Sequence, residues 1–472
     1  MRRAKTMTLG VAPTRRAPFV HPEAGEMKRA IETQLTEWDI EFVNIDAVND
    51  EGILFDRADV DEAVEVLRRA EVDALFVPHV NFGCEDATAR LARDLAVPTL
   101  LWGPRDGTPL PDGNRARDTQ CGLFATSKAL RRLSVPFSYI VNSTLDDPVF
   151  ERGLRTFLAA AAAANAFRGA RIGQVSTRPG PFWTVMCNEG ELLERWGVEV
   201  VPVALSDVLA AAQDLLEEDE DRVEAQADAI CANFHTADAE PEDIARMAAL
   251  KLALLDFADR EALDALAVQC WSALQRAFGL FPCFVHGLLT DDGIPVACET
   301  DIHGALCAHM VQEAVGRTTV PFFADLTVRH PEDDNAELLW HCGPFPASLA
   351  VEGAPRKIAH HHAGPPAVGA WQIRGGPITL VRFDGDHGHY QMLLGHAEGT
   401  TGPYTIGTYL WARVGDWPLW EERLIRGPYV HHVVGVHGHI APALYEACRF
   451  LGVAPDCVEP TEGEVRAWLR GG

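Results

Sequence analysis

In the first third of the chain, short apolar runs alternate with stretches whose apolar residues recur at helical spacing. Runs at residues 8–12, 41–45, 74–77 and 98–102 predict strands, and residues 25–37, 60–70 and 87–95 predict helices between them. That alternation implies a parallel sheet with helices on both faces. An alanine-rich apolar run at 157–167 reads as a buried helix, too short to span a bilayer. The rhythm restarts at residue 171, with strands at 171–175 and 198–203, a helix at 188–196 and a long acidic helical region after it. Segments 266–274 and 283–286 continue the unit. Beyond about residue 317 the pattern changes. Glycine, proline, tryptophan and histidine become frequent, runs at 378–383 and 430–436 read as strands, and long helices are scarce until 441–451. The expected fold is α/β: two doubly wound α/β domains, residues 1–168 and 169–316, followed by a β-rich domain, 317–472. The last is a sandwich or barrel closed by a C-terminal helix.

Doubly wound sheets bind ligands at the carboxyl ends of their strands, which draws attention to residues 81–86 and 176–182. The formal charge of −27 excludes the positive footprint that nucleic acid or an anionic membrane requires. The acidic runs 217–221 and 238–243 are solvated helix ends or loops. Eleven cysteines, an odd number without a CxxC pair and mostly in apolar segments, fit reduced core thiols rather than a disulfide frame or a zinc knuckle. The basic Met1-Arg-Arg-Ala-Lys start is not followed by an apolar signal core, so the expected location is cytoplasmic.

Most of the 18 histidines lie in the last third, in clusters at 360–362, 387–389 and 431–439. Two acidic segments are sharper. In VACETDIHGAL (296–306) a buried strand turns into a helix, with Glu299 and Asp301 at the junction, where a carboxylate also serves as a helix cap. Asp301 is expected to be only that cap. In PFFADLTV (321–328) Asp325 sits inside an apolar, β-branched run, a costly position unless the charge is paired or metal-bound. Carboxylate with imidazole suits Mn²⁺, Mg²⁺ or a similar oxygen-preferring ion better than structural zinc. No GxGxxG, P-loop, GxSxG or HExxH motif is present, which removes the main supports for dinucleotide, NTP and serine-hydrolase chemistry.

Four segments in order, CETDIHGAL (298–306), FFADLTV (322–328), LWHCGPFP (339–346) and HHVV with a following helix ending in FLG (431–452), resemble the L-fucose isomerase family and its L-arabinose isomerase relatives. The resemblance covers nearly the whole chain. It implies interconversion of an aldose and a ketose through an enediol. Glu299 and Asp325 would be catalytic, and Glu299, Asp325 and His432 would hold Mn²⁺ or another divalent metal, with His431 the alternative if the register slips by one. His341, 16 residues after Asp325, fits a further ligand position loosely and is otherwise a substrate contact, together with Gln269 and Trp271. The implied partner is a small sugar, and the implied assembly is a homotrimer or homohexamer. Two other readings use the same residues: a metal-dependent aldolase or epimerase on a related sugar, and a non-catalytic sugar-binding protein with two α/β lobes.

Overall fold

The structure is a computed structural model that describes residues 6–16, 19, 22–360 and 364–472. The basic N-terminal pentapeptide and His361 and His362 lie outside the described residues. Contacts divide the chain into two compact units. One holds the described residues up to Asn165 with Pro442–Gly452 and Gly463–Gly472; the other holds Ala166–Ala441 and Val453–Glu462.

The first unit is built on a parallel sheet of five strands: β1 (Leu9–Val11), β2 (Phe42–Asn44), β3 (Ala74–Pro78), β4 (Thr99–Trp102) and β5 (Ser138–Tyr139), ordered β2-β1-β3-β4-β5. Every residue of the central β3 is buried, as its unbroken apolar run requires when helices cover both faces. The helix Ala58–Arg69 buries Val60, Ala63, Val64 and Leu67, one stripe at helical spacing. The helix Ala441–Leu451, expected to close the β-rich part, belongs to this unit instead. Its Phe450 meets Phe157 edge-on, with ring centroids 6.1 Å apart, and Glu446 accepts a hydrogen bond from the Ser138 hydroxyl.

The second unit combines a parallel sheet and a barrel. The sheet has β6 (Arg171–Val175), β7 (Glu199–Val203), β8 (Ala265–Val268) and β9 (Val296–Cys298), ordered β7-β6-β8-β9. After it come β10 (Phe322–His330), β11 (Asp333–His341), β12 (Lys357–Ala359), β13 (Val368–Gln372), β14 (Gly376–Asp386), β15 (His389–Thr400), β16 (Thr408–Arg413), β17 (His432–His437) and β18 (Ala454–Cys457). Six of these close on themselves in the order β16-β11-β10-β17-β14-β15 and back to β16, each pair antiparallel. Of the two architectures expected for this region, the chain adopts the barrel. Closure removes the open edges a flat sheet would expose. Strands β13 and β12 extend the ring beside β16, and β18 lies parallel to β15.

The helix Ile302–Ala314 joins the sheet to the barrel. It is apolar around almost its whole circumference and buried along nearly all of its length, as expected for a helix with packing partners on every side. It packs on β6, β8 and β9 of the sheet and on β10, β14 and β17 of the barrel. Gly435 in β17 allows close packing, since a Cβ there would stand 2.1 Å from the Phe322 ring. Among the described residues no helix is long and apolar enough to cross a membrane.

Candidate active site

Strand β9 ends at Cys298, and the two residues that follow, Glu299 and Thr300, both take left-handed backbone angles, φ +62° and +60°. A non-glycine residue there is strained by about 1–3 kcal/mol, and such strain persists only where the surroundings over-determine it. The turn ends at Asp301, the N-cap of the helix Ile302–Ala314, whose carboxylate accepts from Gly304 N at 2.9 Å.

The barrel supplies the other side of the site. Antiparallel register sets Asp325 of β10 directly opposite His432, the first residue of β17, so the two side chains share a face. His432 is fully buried. Its Nε2 lies 2.9 Å from Glu299 Oε2 and 3.5 Å from Asp325 Oδ1. Its Nδ1 lies 2.8 Å from Asp301 Oδ2. With Nδ1–H donated to that carboxylate, Nε2 points at the two acids. This carboxylate–imidazole pairing fixes the tautomer of metal-binding histidines.

Glu299 Oε2, Asp325 Oδ1 and His432 Nε2 are buried and find no hydrogen-bond partner among the described residues. Two charge arrangements satisfy them. One is a proton on His432 Nε2 shared with Glu299, favoured because, against the effect of burial, the contacts to Asp301 and Glu299 raise the imidazole pKa to about 9. The other is a divalent cation in the place of that proton. The donor set, two carboxylate oxygens and one imidazole, fits a divalent oxygen-preferring ion. His431 also comes within ligand distance of Glu299 and His432, but it is exposed and its Nε2 stands 3.8 Å from Asp325. His432, not His431, lies between the acids.

Of the expected sugar contacts, Trp271 reaches the site directly, its Nε1–H donating to Glu299 Oε1 at 3.0 Å. This leaves the other oxygen of that carboxylate to the cluster. His341 brings Nε2 to 3.9 Å from Asp325 Oδ1, while its Nδ1 accepts the backbone N–H of Cys342 at 2.8 Å. With Nδ1 taken by that N–H, Nε2 is the nitrogen His341 presents to the site. Gln269 is buried, and its amide donates to Thr177 O at 2.6 Å, tying two strand-end loops together. Phe182, in the stretch 176–182, stands over the site with its ring 6.1 Å from Trp271 and 5.7 Å from His432.

Among the described residues, His360, His387 and His437 make other contacts. His360 spends both ring nitrogens on the carbonyls of Gly364 and Asp238, His387 is exposed beside the β14–β15 turn, and His437 bonds to Arg374 O.

Asp301 does more than the cap expected of it. Besides Gly304 and His432 it takes two contacts from the Arg382 guanidinium, which also forks onto Asp384 at 3.0 and 2.7 Å. Asp384 in turn accepts from His303 Nδ1 at 3.1 Å. Burial alone would raise the Asp301 carboxyl, but the charge of Arg382 and the bond to His432 overcome it, leaving it well below the ordinary carboxylate range. Sequence reasoning missed Arg382 and Asp384, although a charge inside the apolar strand 378–383 is the signal that singled out Asp325.

Comparison with known proteins agrees with this architecture. Residues 10–168 match the family described as fucose/sulfoquinovose isomerase, N-terminal domain. A sulfoquinovose isomerase of Priestia aryabhattai is 25% identical over 401 residues, covering 83% of this chain and 86% of its own. One from Alkalicoccus urumqiensis is 27% identical over 334 residues, covering 70% and 73%. In these matches the chain is similar to the fucose-isomerase-like family. The relatives' activity indicates an aldose–ketose isomerase, an enzyme rather than a passive sugar binder. The family match covers the first sheet, whereas Glu299, Asp325 and His432 all lie in the second unit.

Proposed function

We propose that this isomerase works with a divalent ion of the Mn²⁺ type held by Glu299, Asp325 and His432, and that its substrate is an aldose of the sulfoquinovose, fucose or arabinose kind. The observation that carries the reading is that buried oxygens of Glu299, in the turn after β9, and Asp325, in β10, lie 2.9 and 3.5 Å from the buried Nε2 of His432 in β17. The relatives, all sulfoquinovose isomerases, make sulfoquinovose the first sugar to test.

The chemical problem is a weak carbon acid. Moving a proton between C2 and C1 of an open-chain sugar requires a base, an acid and stabilisation of the enediolate between them. When bound, a divalent ion supplies Lewis acidity toward the charge developing on the sugar oxygens. The remaining work falls to the protein. Glu299 and Asp325, on two different elements, act as base and acid across the enediol. Trp271 fixes the Glu299 carboxylate, and Asp301 fixes the His432 tautomer. His341 presents Nε2 to a sugar hydroxyl, and Phe182 covers the site and excludes water.

The test is a panel of aldoses that includes sulfoquinovose, L-fucose and L-arabinose, given to EDTA-stripped protein with and without added Mn²⁺, with ketose formation as the readout. Turnover of at least one member that disappears on stripping and returns with Mn²⁺ is expected. Full turnover in the metal-free protein would end the metal assignment, and conversion of none of the three would end the substrate assignment.

A further inference from the structure

The fold assembles four cysteines that the sequence scatters over 73 positions, from Cys270 to Cys342. Cys270 follows β8, Cys283 opens the helix Cys283–Asp291, Cys298 ends β9 and Cys342 follows β11. The sulfurs of Cys270, Cys283 and Cys298 lie within 4.8 Å of one another, and all three residues are essentially without solvent exposure. Cys342 Sγ stands 2.8 Å from Cys283 Sγ. Two histidines face the group, His286 with Nδ1 at 3.2 Å from Cys298 Sγ and His341 with Nδ1 at 3.3 Å from Cys342 Sγ.

We propose that Cys270, Cys283 and Cys298, with Cys342 as fourth donor, form a closed site for a thiophilic d¹⁰ cation such as Zn²⁺ or Cu⁺, separate from the carboxylate site. A tetrahedral zinc thiolate with Zn–S near 2.3 Å has sulfurs about 3.8 Å apart, within the spread seen here. The hard-ion site offers oxygen and imidazole, and this one offers sulfur, so the two sort ions by softness without competing. Cys283 lies in the first turn of a helix, where the dipole favours thiolate. His286 supplies the outer-shell contact to a coordinating sulfur that such sites use.

The location gives the site a function. Cys270 precedes Trp271, Cys298 precedes Glu299 and Cys342 follows His341. One ion would therefore tie together the backbones that carry three residues of the candidate active site, including the strained turn at Glu299. Its role is to brace, with every position filled by protein sulfur and none open to substrate.

The experiment uses the full chain with its exposed cysteines, Cys121 and Cys231, alkylated under native conditions, then stripped with EDTA and titrated with Cd²⁺. An ultraviolet thiolate-to-cadmium charge-transfer band saturating at one equivalent is expected. Cys283→Ser should lose it, and Cys307→Ser, a buried cysteine that faces Val381 O, should keep it. Because the band requires sulfur, it is independent of whether Glu299 and His432 hold a metal. If the Cys283 variant does not fold, labelling of the wild-type chain with N-ethylmaleimide in mild denaturant decides. Cd²⁺ should slow modification of Cys270, Cys283 and Cys298 at least tenfold and leave Cys307 unaffected. Absence of both band and protection, or a Cys283–Cys342 disulfide found by mass spectrometry in the purified protein, would overturn the site.

Discussion

Asp301→Asn is the substitution that separates a helix cap from an organiser of the proposed metal site. Four donors surround the two carboxylate oxygens. Gly304 N and one Arg382 nitrogen approach Oδ1, at 2.9 and 3.2 Å, and His432 Nδ1 with the other Arg382 nitrogen approaches Oδ2. Asparagine caps helices as well as aspartate does, so the cap alone predicts almost no effect. The amide, however, has only one acceptor. With its oxygen kept on Gly304, its NH₂ faces His432 and forces the imidazole proton onto Nε2, the nitrogen that lies between Glu299 and Asp325. With its oxygen turned to His432, the NH₂ meets the Gly304 N–H and the guanidinium, and the cap is lost.

Either outcome costs more than the ~1 kcal/mol of a lost cap. Breaking one side of a buried ion pair costs about 3–5 kcal/mol, reduced here because Arg382 keeps both bonds to Asp384, so roughly 2–3 kcal/mol of stability is expected to be lost. Metal affinity should fall about 10–100-fold, the usual effect of removing an outer-shell partner of a histidine ligand. Thermal unfolding in EDTA reads the first quantity and a Mn²⁺ isotherm by electron paramagnetic resonance reads the second. The double variant Asp301→Asn with Arg382→Met distinguishes the causes. It should lose further stability, because the buried Asp384 then lacks its guanidinium, and leave Mn²⁺ affinity as low as in Asp301→Asn, because the tautomer is still wrong. If Asp301→Asn binds Mn²⁺ within twofold of the native protein and unfolds within 1 kcal/mol of it, the coupling of Asp301 to His432 is refuted and the residue is only a cap.

Glu299→Gln and Asp325→Asn each keep one oxygen ligand and lose the basic one. kcat should fall roughly 10²–10⁴-fold with a smaller change in metal affinity, and exchange of the substrate C2 proton with solvent at the native rate in both variants would disprove the shuttle role. Glu337 in β11 is held by burial, opposed by Arg329 and reinforced by Glu421, at a pKa of about 7 against its ordinary 4.5. The folded state therefore binds the proton more tightly than the unfolded one, and stability declines as pH rises from about 4.5 to about 7. The decline should be about 1–2 kcal/mol once screening by water is allowed for, and Glu337→Gln should abolish it in urea titrations across that window. A homotrimer or homohexamer is expected in solution, and light scattering that shows a fully active monomer would rule that assembly out.

What was legible in the sequence follows from how each residue earns its place. A strand such as β3 shows through because a strand buried on both faces must be apolar throughout, and Asp325 and Arg382 stand out against apolar runs for the same reason. Asp325 was read and Arg382 was not, because a buried arginine also snorkels in ordinary proteins and the partners that hold it, Asp301 and Asp384, come from separate elements. Closure of the barrel was not legible either. Whether β15 returns to β16 depends on register and twist over six strands, to which Glu398↔Arg413 and its two neighbouring pairs contribute only the last step.

The histidines make the same point in reverse. Sequence density marked three clusters, yet a cluster is a property of neighbours along the chain, whereas ligation is a property of neighbours across it. His432 enters the site because antiparallel register sets it opposite Asp325. His360 and His387 sit in equally dense sequence and face carbonyls or solvent. Register also distinguishes His432 from His431: one residue's shift along β17 exchanges the buried face for the exposed one, so an imidazole held at 2.8 Å by Asp301 and another left exposed differ only by the pleat. The same argument makes the distinction testable. His432→Gln should abolish Mn²⁺ binding, since Gln presents no imidazole lone pair between Glu299 and Asp325, while His431→Gln should keep affinity within a few-fold. Reversal of that order would show that β17 sits one residue out of the register described here, and with it that Asp325 pairs with a different face of the barrel.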